Sequence, residues 1–232
     1  MTVMTVAAAV FLTSCGTLID ETTRRKGTLG YVAGALGAVS VEEPQAALVA
    51  RDILSSGGTA ADAAVAMGFT LAVTMPSSAS LGGGGVCIAR DGRGEPPVVI
   101  DFLPRAPKTA SRDTERPSAI PGTPRGLFLL HSRFGDLKWE QVISPAENLA
   151  RFGFNIPRAL ATELSKVADV LVRDPHMAEV YKRKDGRVVS EGDFLKQPDL
   201  AATLGRMRAK GVGDFYVSHD ARQFVEAVQA AG

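Results

Sequence analysis

The sequence predicts an α+β fold: one helix-rich lobe of a sandwich whose other strands are supplied later in a chain. Three observations predict it. Only two strand-like runs stand out, at 86–90 and 98–102, and Asp91-Gly92-Arg93-Gly94 between them has hairpin-turn chemistry. Helical patterns surround this pair without alternating with strands, which is not the doubly wound βαβ arrangement. The stretch 60–73 is apolar nearly all round, as expected of a helix buried on every face and not of one lying on a surface.

The elements follow in order. Residues 6–12 form a short apolar run, too short to span a bilayer as a mature helix. It ends in Leu12-Thr13-Ser14-Cys15-Gly16, which resembles the bacterial lipobox, although residues 1–6 lack the basic residues of an n-region. The resemblance implies a signal peptide over 1–15, with Cys15 acylated as the new N-terminus. It places the protein in a bacterial cell envelope, facing the periplasm, and Gly16 in place of Asp favours the outer membrane. The plainer alternative is an apolar tail with a chance cysteine. Residues 16–40 are a polar tether, and Arg24-Arg25-Lys26 is a short basic patch within it.

The main domain runs over 41–232. From Glu43 the residues Ala46, Val49, Ala50, Ile53 and Leu54 recur at helical spacing, and Gly57-Gly58 ends that helix. Thr59-Ala60-Ala61-Asp62 is a capping-box start for the apolar helix. Asp62 is therefore read as a cap for the helix N–H groups and not as a catalytic carboxylate. Pro76 breaks the helix, and 77–85 is a loop. Residues 103–121 are Pro-rich and irregular. Thr123 as N-cap and Pro124 at the first helical position predict a helix to about Phe134. Further amphipathic helices are expected near 138–151, 157–171, 198–209 and 220–231, punctuated by Gly153, Gly186, Gly192, Gly211 and Gly213.

Several function classes drop out. Lys and Arg total 26 against 25 Asp and Glu, so the net charge of +1 gives no pull on nucleic acid. The two cysteines, Cys15 and Cys87, sit in unlike contexts and do not form a disulfide framework; Cys87 reads as a buried strand thiol. His131, His176 and His219 lack metal spacing and are read as structural or surface residues. Gly82-Gly83-Gly84-Gly85 has no following Gly-Lys-Ser/Thr, so it is not a phosphate loop. It reads as a loop of close backbone approach or positive φ. Trp139, Phe152 and Phe154 are expected packing anchors.

Taken in order, the motifs resemble the gamma-glutamyltransferase family. They are SGGTAADAAVAMGFTLAVTMPSSASLGGGGV at 56–86, IDFLPRAP at 100–107 and AIPGTPRG at 119–126. They continue with SPAENLARFGF at 144–154, Gly192-Asp193, Gln197-Pro198-Asp199-Leu200-Ala201 and Gly213-Asp214-Phe215-Tyr216. The likeness covers 41–232, with Ser80 standing where the family usually has Gly. It implies the αββα sandwich of an N-terminal-nucleophile hydrolase, of which this chain holds only the helix-rich N-terminal part.

The resemblance also implies a chemistry. One precursor cuts itself into a large and a small subunit, and the new N-terminal Thr attacks a γ-glutamyl carbonyl with its own α-amino group as base. Water or an acceptor amine then releases the glutamyl group, and no metal or organic cofactor takes part. The implied substrates are glutathione and related γ-glutamyl compounds, and the implied partner is the C-terminal remainder of the same precursor. No catalytic residue is expected within these 232 residues.

One substrate contact is expected here. The family pattern Asp-x-Arg-Glu-x-Ala-Pro uses its Arg to grip the substrate α-carboxylate by a forked, charge-assisted pair. Aligned on Asp101 and on Ala106-Pro107, the Arg and Glu positions hold Leu103 and Pro104, and an arginine follows at Arg105. Arg105 is either a relocated clamp or a solvated loop arginine. The departure keeps relatives on the same scaffold open, cephalosporin-acylase-like amidases and poly-γ-glutamate enzymes among them. A non-catalytic or truncated lipoprotein with a binding role is the alternative from another class, and an unrelated helical scaffold is the third.

Overall fold

A computed structural model describes residues 37–91, 95–108 and 118–230. The expected signal segment with Cys15, most of the expected tether and the expected turn at Gly92-Arg93-Gly94 lie outside the described residues.

The fold is built around α2 (Ala60–Thr74). Past Ala60 none of its residues is exposed, and Val65, Ala66, Phe69 and Val73 are sealed from solvent. Side chains such as Phe69 and Val65 each stabilise the fold by about 2 kcal/mol relative to exposure. Helix α1 (Pro44–Ser55) packs antiparallel to α2 through Ala46, Ala50 and Ile53. Helices α3 (Thr123–Phe134) and α4 (Trp139–Phe152) cover other sides, and α8 (Pro198–Lys210) backs onto α4.

Both ends of α2 are tied down by buried polar groups. At the C-terminal end, Thr74 Oγ1 donates to Glu43 Oε2 at 2.8 Å. Glu43 is itself the N-cap of α1, accepting from the amides of Gln45 at 3.0 Å and Ala46 at 2.7 Å. Gln197, before α8, donates Nε2–H to Val73 O at 2.9 Å and its own amide to Ala150 O at 2.9 Å.

At the N-terminal end the capping box forms as expected: Asp62 N donates to Thr59 Oγ1 at 3.1 Å and Thr59 N to Asp62 Oδ2 at 2.9 Å. Asp62 does more than cap. Its fully buried carboxylate also accepts the amides of Asp136 at 3.0 Å and Leu137 at 3.2 Å, in the turn joining α3 to α4. His131 Nε2 lies 3.5 Å from Asp62 Oδ1 and 3.0 Å from Leu137 O. A carbonyl only accepts, so Nε2 carries the proton.

Strands β1 (Val86–Ala89) and β2 (Val98–Asp101) pair antiparallel, with Val86 opposite Asp101 and Cys87 opposite Ile100. A second two-stranded pair joins β3 (Phe154–Asn155) to β4 (Phe194–Leu195). The remaining named elements among the described residues are helices: α5 (Arg158–Lys166), α6 (Ala168–Leu171), α7 (Pro175–Tyr181), α9 (Asp214–Val217) and α10 (His219–Ala230).

Several expectations need correcting. The segment 157–171 is two helices, because Val167 leaves helical geometry at φ −122°. Thr123 is the first residue of α3 and not its N-cap; Gly122 holds that position without a side-chain bond. Cys87 is only half-buried, since it lies on a strand of a two-stranded sheet; burial still pushes its thiol pKa up. Phe152 is 64% exposed and anchors nothing, whereas Phe154 is buried. Trp139 does anchor: its ring meets Phe69, Phe128 and His131 edge-on, and Nε1–H donates to Met207 O at 2.9 Å. His176 and His219 are exposed.

Glu147 joins α4 to α8, accepting from Arg151 and Arg208, each at 2.6 Å. Burial pushes its carboxyl pKa up, but the two guanidinium hydrogen bonds outweigh this and hold it below the ordinary value.

Replacing Asp62 by Ala strands the amides of Thr59, Asp136 and Leu137 without their acceptor. The variant is expected to lose about 3 kcal/mol or more of stability, read from a urea unfolding midpoint. A loss under about 1 kcal/mol would sink the view of Asp62 as the tie between α2 and the α3–α4 turn.

Candidate functional site

Three of the motif segments meet at one place. The glycine loop enters β1, β2 exits into the strip Phe102–Arg105, and a second strip, 118–122, leads into α3. The two strips pair through an isolated antiparallel bridge: Ile120 N donates to Arg105 O at 2.8 Å and Arg105 N to Ile120 O at 3.4 Å. Asp101 shapes the turn out of β2 by accepting the amide of Leu103 at 3.0 Å.

Glycine permits this convergence. A Cβ at Gly84 would fall 2.3 Å from Phe102 O, and one at Gly122 would fall 1.8 Å from the same oxygen. A Cβ at Gly126 would sit 2.0 Å from the Phe102 ring. The loop 82–85 therefore serves close backbone approach; positive φ occurs elsewhere, at Gly57, Gly153, Gly186, Gly192 and Gly211.

The N-terminus of α3 is capped by tertiary contacts. Gly83 O accepts from Gly122 N at 2.8 Å and Thr123 N at 3.1 Å. Pro124 has no N–H, and Arg125 N donates to Tyr216 Oη at 3.2 Å. The phenol in turn donates to Pro121 O at 3.0 Å, and the Arg125 guanidinium lies 4.7 Å above its ring. The first-turn donors of α3 are thus satisfied by protein, so they offer no anion site.

Arg105 is exposed, and its guanidinium meets no carboxylate among the described residues. Leu103, at the family's usual arginine position, is exposed as well. A hollow of about 340 Å³, lined by Asp91, Glu95, Val98 and Arg133 among others, lies at the turn end of the β1–β2 hairpin. Arg105 lies beyond the opposite end, so that hollow is not its site. Sequence reasoning named Arg105 and the glycine loop but gave Tyr216 no role. Its only signal was membership of the Gly213–Tyr216 motif.

A helix-rich α+β lobe, with a glycine loop feeding a hairpin and an irregular strip leaving it, is the class seen in N-terminal-nucleophile hydrolases. The sequence model of the gamma-glutamyltranspeptidase family matches residues 46–232, and this chain belongs to that family. The chain is 34% identical over 212 residues to the glutathione hydrolase proenzyme of Escherichia coli (strain K12), covering 84% of this chain and 36% of that protein. Its fold matches the gamma-glutamyltranspeptidase of Helicobacter pylori with a TM-score of 0.78 at 28% identity, over 85% of this chain and 61% of that one. It also matches the Bacillus anthracis transpeptidase CapD with a TM-score of 0.75 at 25% identity, over 85% and 66%. The chain spans about a third of the length of the curated relatives it matches.

The glycine contacts yield a paired expectation. Gly126→Ala drives a methyl into the Phe102 ring and should cost about 2 kcal/mol or more. At Gly82 the nearest atom to an added Cβ is Ser80 Oγ at 3.7 Å, so Gly82→Ala should change stability by less than about 0.5 kcal/mol. Thermal unfolding of the two variants side by side checks the contrast.

Proposed function

We propose that this chain is the N-terminal part of a precursor that hydrolyses or transfers γ-glutamyl groups, glutathione among them. The observation that carries the reading is the convergence of three of the family's motif segments, with the strip Phe102–Arg105 held between the glycine loop and α3. The relatives' name, glutathione hydrolase proenzyme, supports the substrate class and the precursor form. The outward sheet face of Val86, Ile88 and Val99, each more than half exposed, suits further strands from the remainder of the precursor.

In this reading the nucleophile is an N-terminal Thr outside these residues, released when the precursor cleaves itself. Its hydroxyl attacks the γ-carbonyl and its α-amino group takes the proton. The α-ammonium returns that proton to the nitrogen of the leaving peptide, which departs as an amine, and the glutamyl ester is then opened by water or by an acceptor amine. What this chain supplies is substrate grip. The exposed Arg105 guanidinium takes the glutamyl α-carboxylate as a charge-assisted pair, in place of the arginine that the family carries two residues earlier. Cys15 carries the acyl chains that hold the enzyme to the cell envelope.

Glutamate release from glutathione, measured on the protein expressed from its whole gene, tests the activity. No release, with no cleavage into two polypeptides, would overturn the reading in favour of a non-catalytic protein. In an active enzyme, Arg105→Ala should raise KM about 10- to 100-fold with a smaller effect on kcat. Unchanged kinetics would reject the clamp. Cys15→Ser should move the protein from the membrane pellet to the soluble fraction. Persistent tight membrane association would rule out lipidation as the anchor.

A further inference from the structure

Tyr216 sits on α9, a four-residue helix with no buried residue and with Val217 73% exposed. The half-buried Tyr216 reaches 95 residues back along the chain to Pro121 O. Its hydroxyl also accepts the amide of Arg125, so it holds main chain on both sides of the Gly122 turn. Pro121 directly follows Ile120, the residue that pairs with Arg105 through two main-chain bonds. On the other side, Gly122 and Thr123 bind Gly83 O. One phenol therefore braces the strip against which Arg105 is registered. Burial pushes the phenol pKa up, against a smaller opposing pull from the amide and charge of Arg125. The hydroxyl so keeps the proton it donates to Pro121.

We propose that Tyr216 is a positioning residue for substrate recognition: its hydroxyl locks Ile120–Gly122 and so fixes where the Arg105 guanidinium meets the substrate carboxylate. This rests on the reading of Arg105 as the clamp. The Arg125 amide bond is exposed to water and the Pro121 bond partly so. Solvent can therefore replace both partners, and losing the hydroxyl costs geometry more than stability. Phe at this position keeps the ring under Arg125 and removes only the two hydrogen bonds.

The test is a double-mutant cycle in the full-length enzyme with glutathione as substrate. Tyr216→Phe should raise KM about fivefold, leave kcat within about twofold and leave the unfolding midpoint nearly unchanged. In the Arg105→Ala background the same substitution should have no further effect on KM. The Ile120 amide should exchange hydrogen faster in Tyr216→Phe, a readout that needs no catalysis. If Arg105→Ala raises KM and Tyr216→Phe does not, the positioning role is overturned while the clamp stands. An equal KM increase in both backgrounds overturns it too, since Tyr216 would act independently of Arg105. If Arg105→Ala itself leaves KM unchanged, the clamp reading has failed and this role falls with it. Unchanged Ile120 exchange overturns the brace directly.

Discussion

Helix α2 is apolar on every side, and that constraint decides where the other helices go. An all-round apolar helix cannot rest on a surface, so α1, α3 and α4 must each cover a face. Such packing fixes the sides of α2 but does little to fix its position along its own axis, because apolar contact has no direction. Direction comes from the polar groups at the ends. Asp62 ties the start of α2 to the α3–α4 turn, and Glu43 with Gln197 ties its end to the starts of α1 and α8. Each of these groups is buried and hydrogen-bonded, so a displacement of α2 breaks several bonds at once.

The candidate site inherits this rigidity through α3. That helix has no side-chain cap, and its first donors go to Gly83 O and to the Tyr216 phenol. With no side-chain cap, these donors join the glycine loop and α9 to the start of α3. Glycine at positions 84, 122 and 126 lets Phe102 and its carbonyl lie where a side chain would otherwise stand. Arg105, exposed at this junction, lies on a strip held by backbone bonds on one edge.

Much of this was legible along the chain. Thr59-Ala60-Ala61-Asp62 announces its capping box because the box is a local geometry of four residues. The apolar run 60–73 announces a buried helix by composition alone. The hairpin shows in two β-rich runs flanking a turn. Other features were illegible for reasons of scale. Strands β3 and β4 are two residues each, too short for alternation to show. The break at Val167 has neither Gly nor Pro to mark it. Asp174-Pro175 does carry the cap and first-turn proline of α7, and Asp174 accepts the Met177 amide, but the helix is too short for periodicity to flag.

By itself the sequence determined the family, the buried central helix, its capping box and the strip that carries Arg105. These are written in local spacing and composition, where each residue's neighbours in the chain are also its neighbours in space. Only the tertiary structure decided that Asp62 is a junction as well as a cap, that α3 is capped by a loop 40 residues away, and that Tyr216 holds Pro121 beside the strip that carries Arg105. Those bonds join groups with no fixed spacing in the chain. Their geometry exists only once the apolar faces have packed and brought the backbone polar groups within reach.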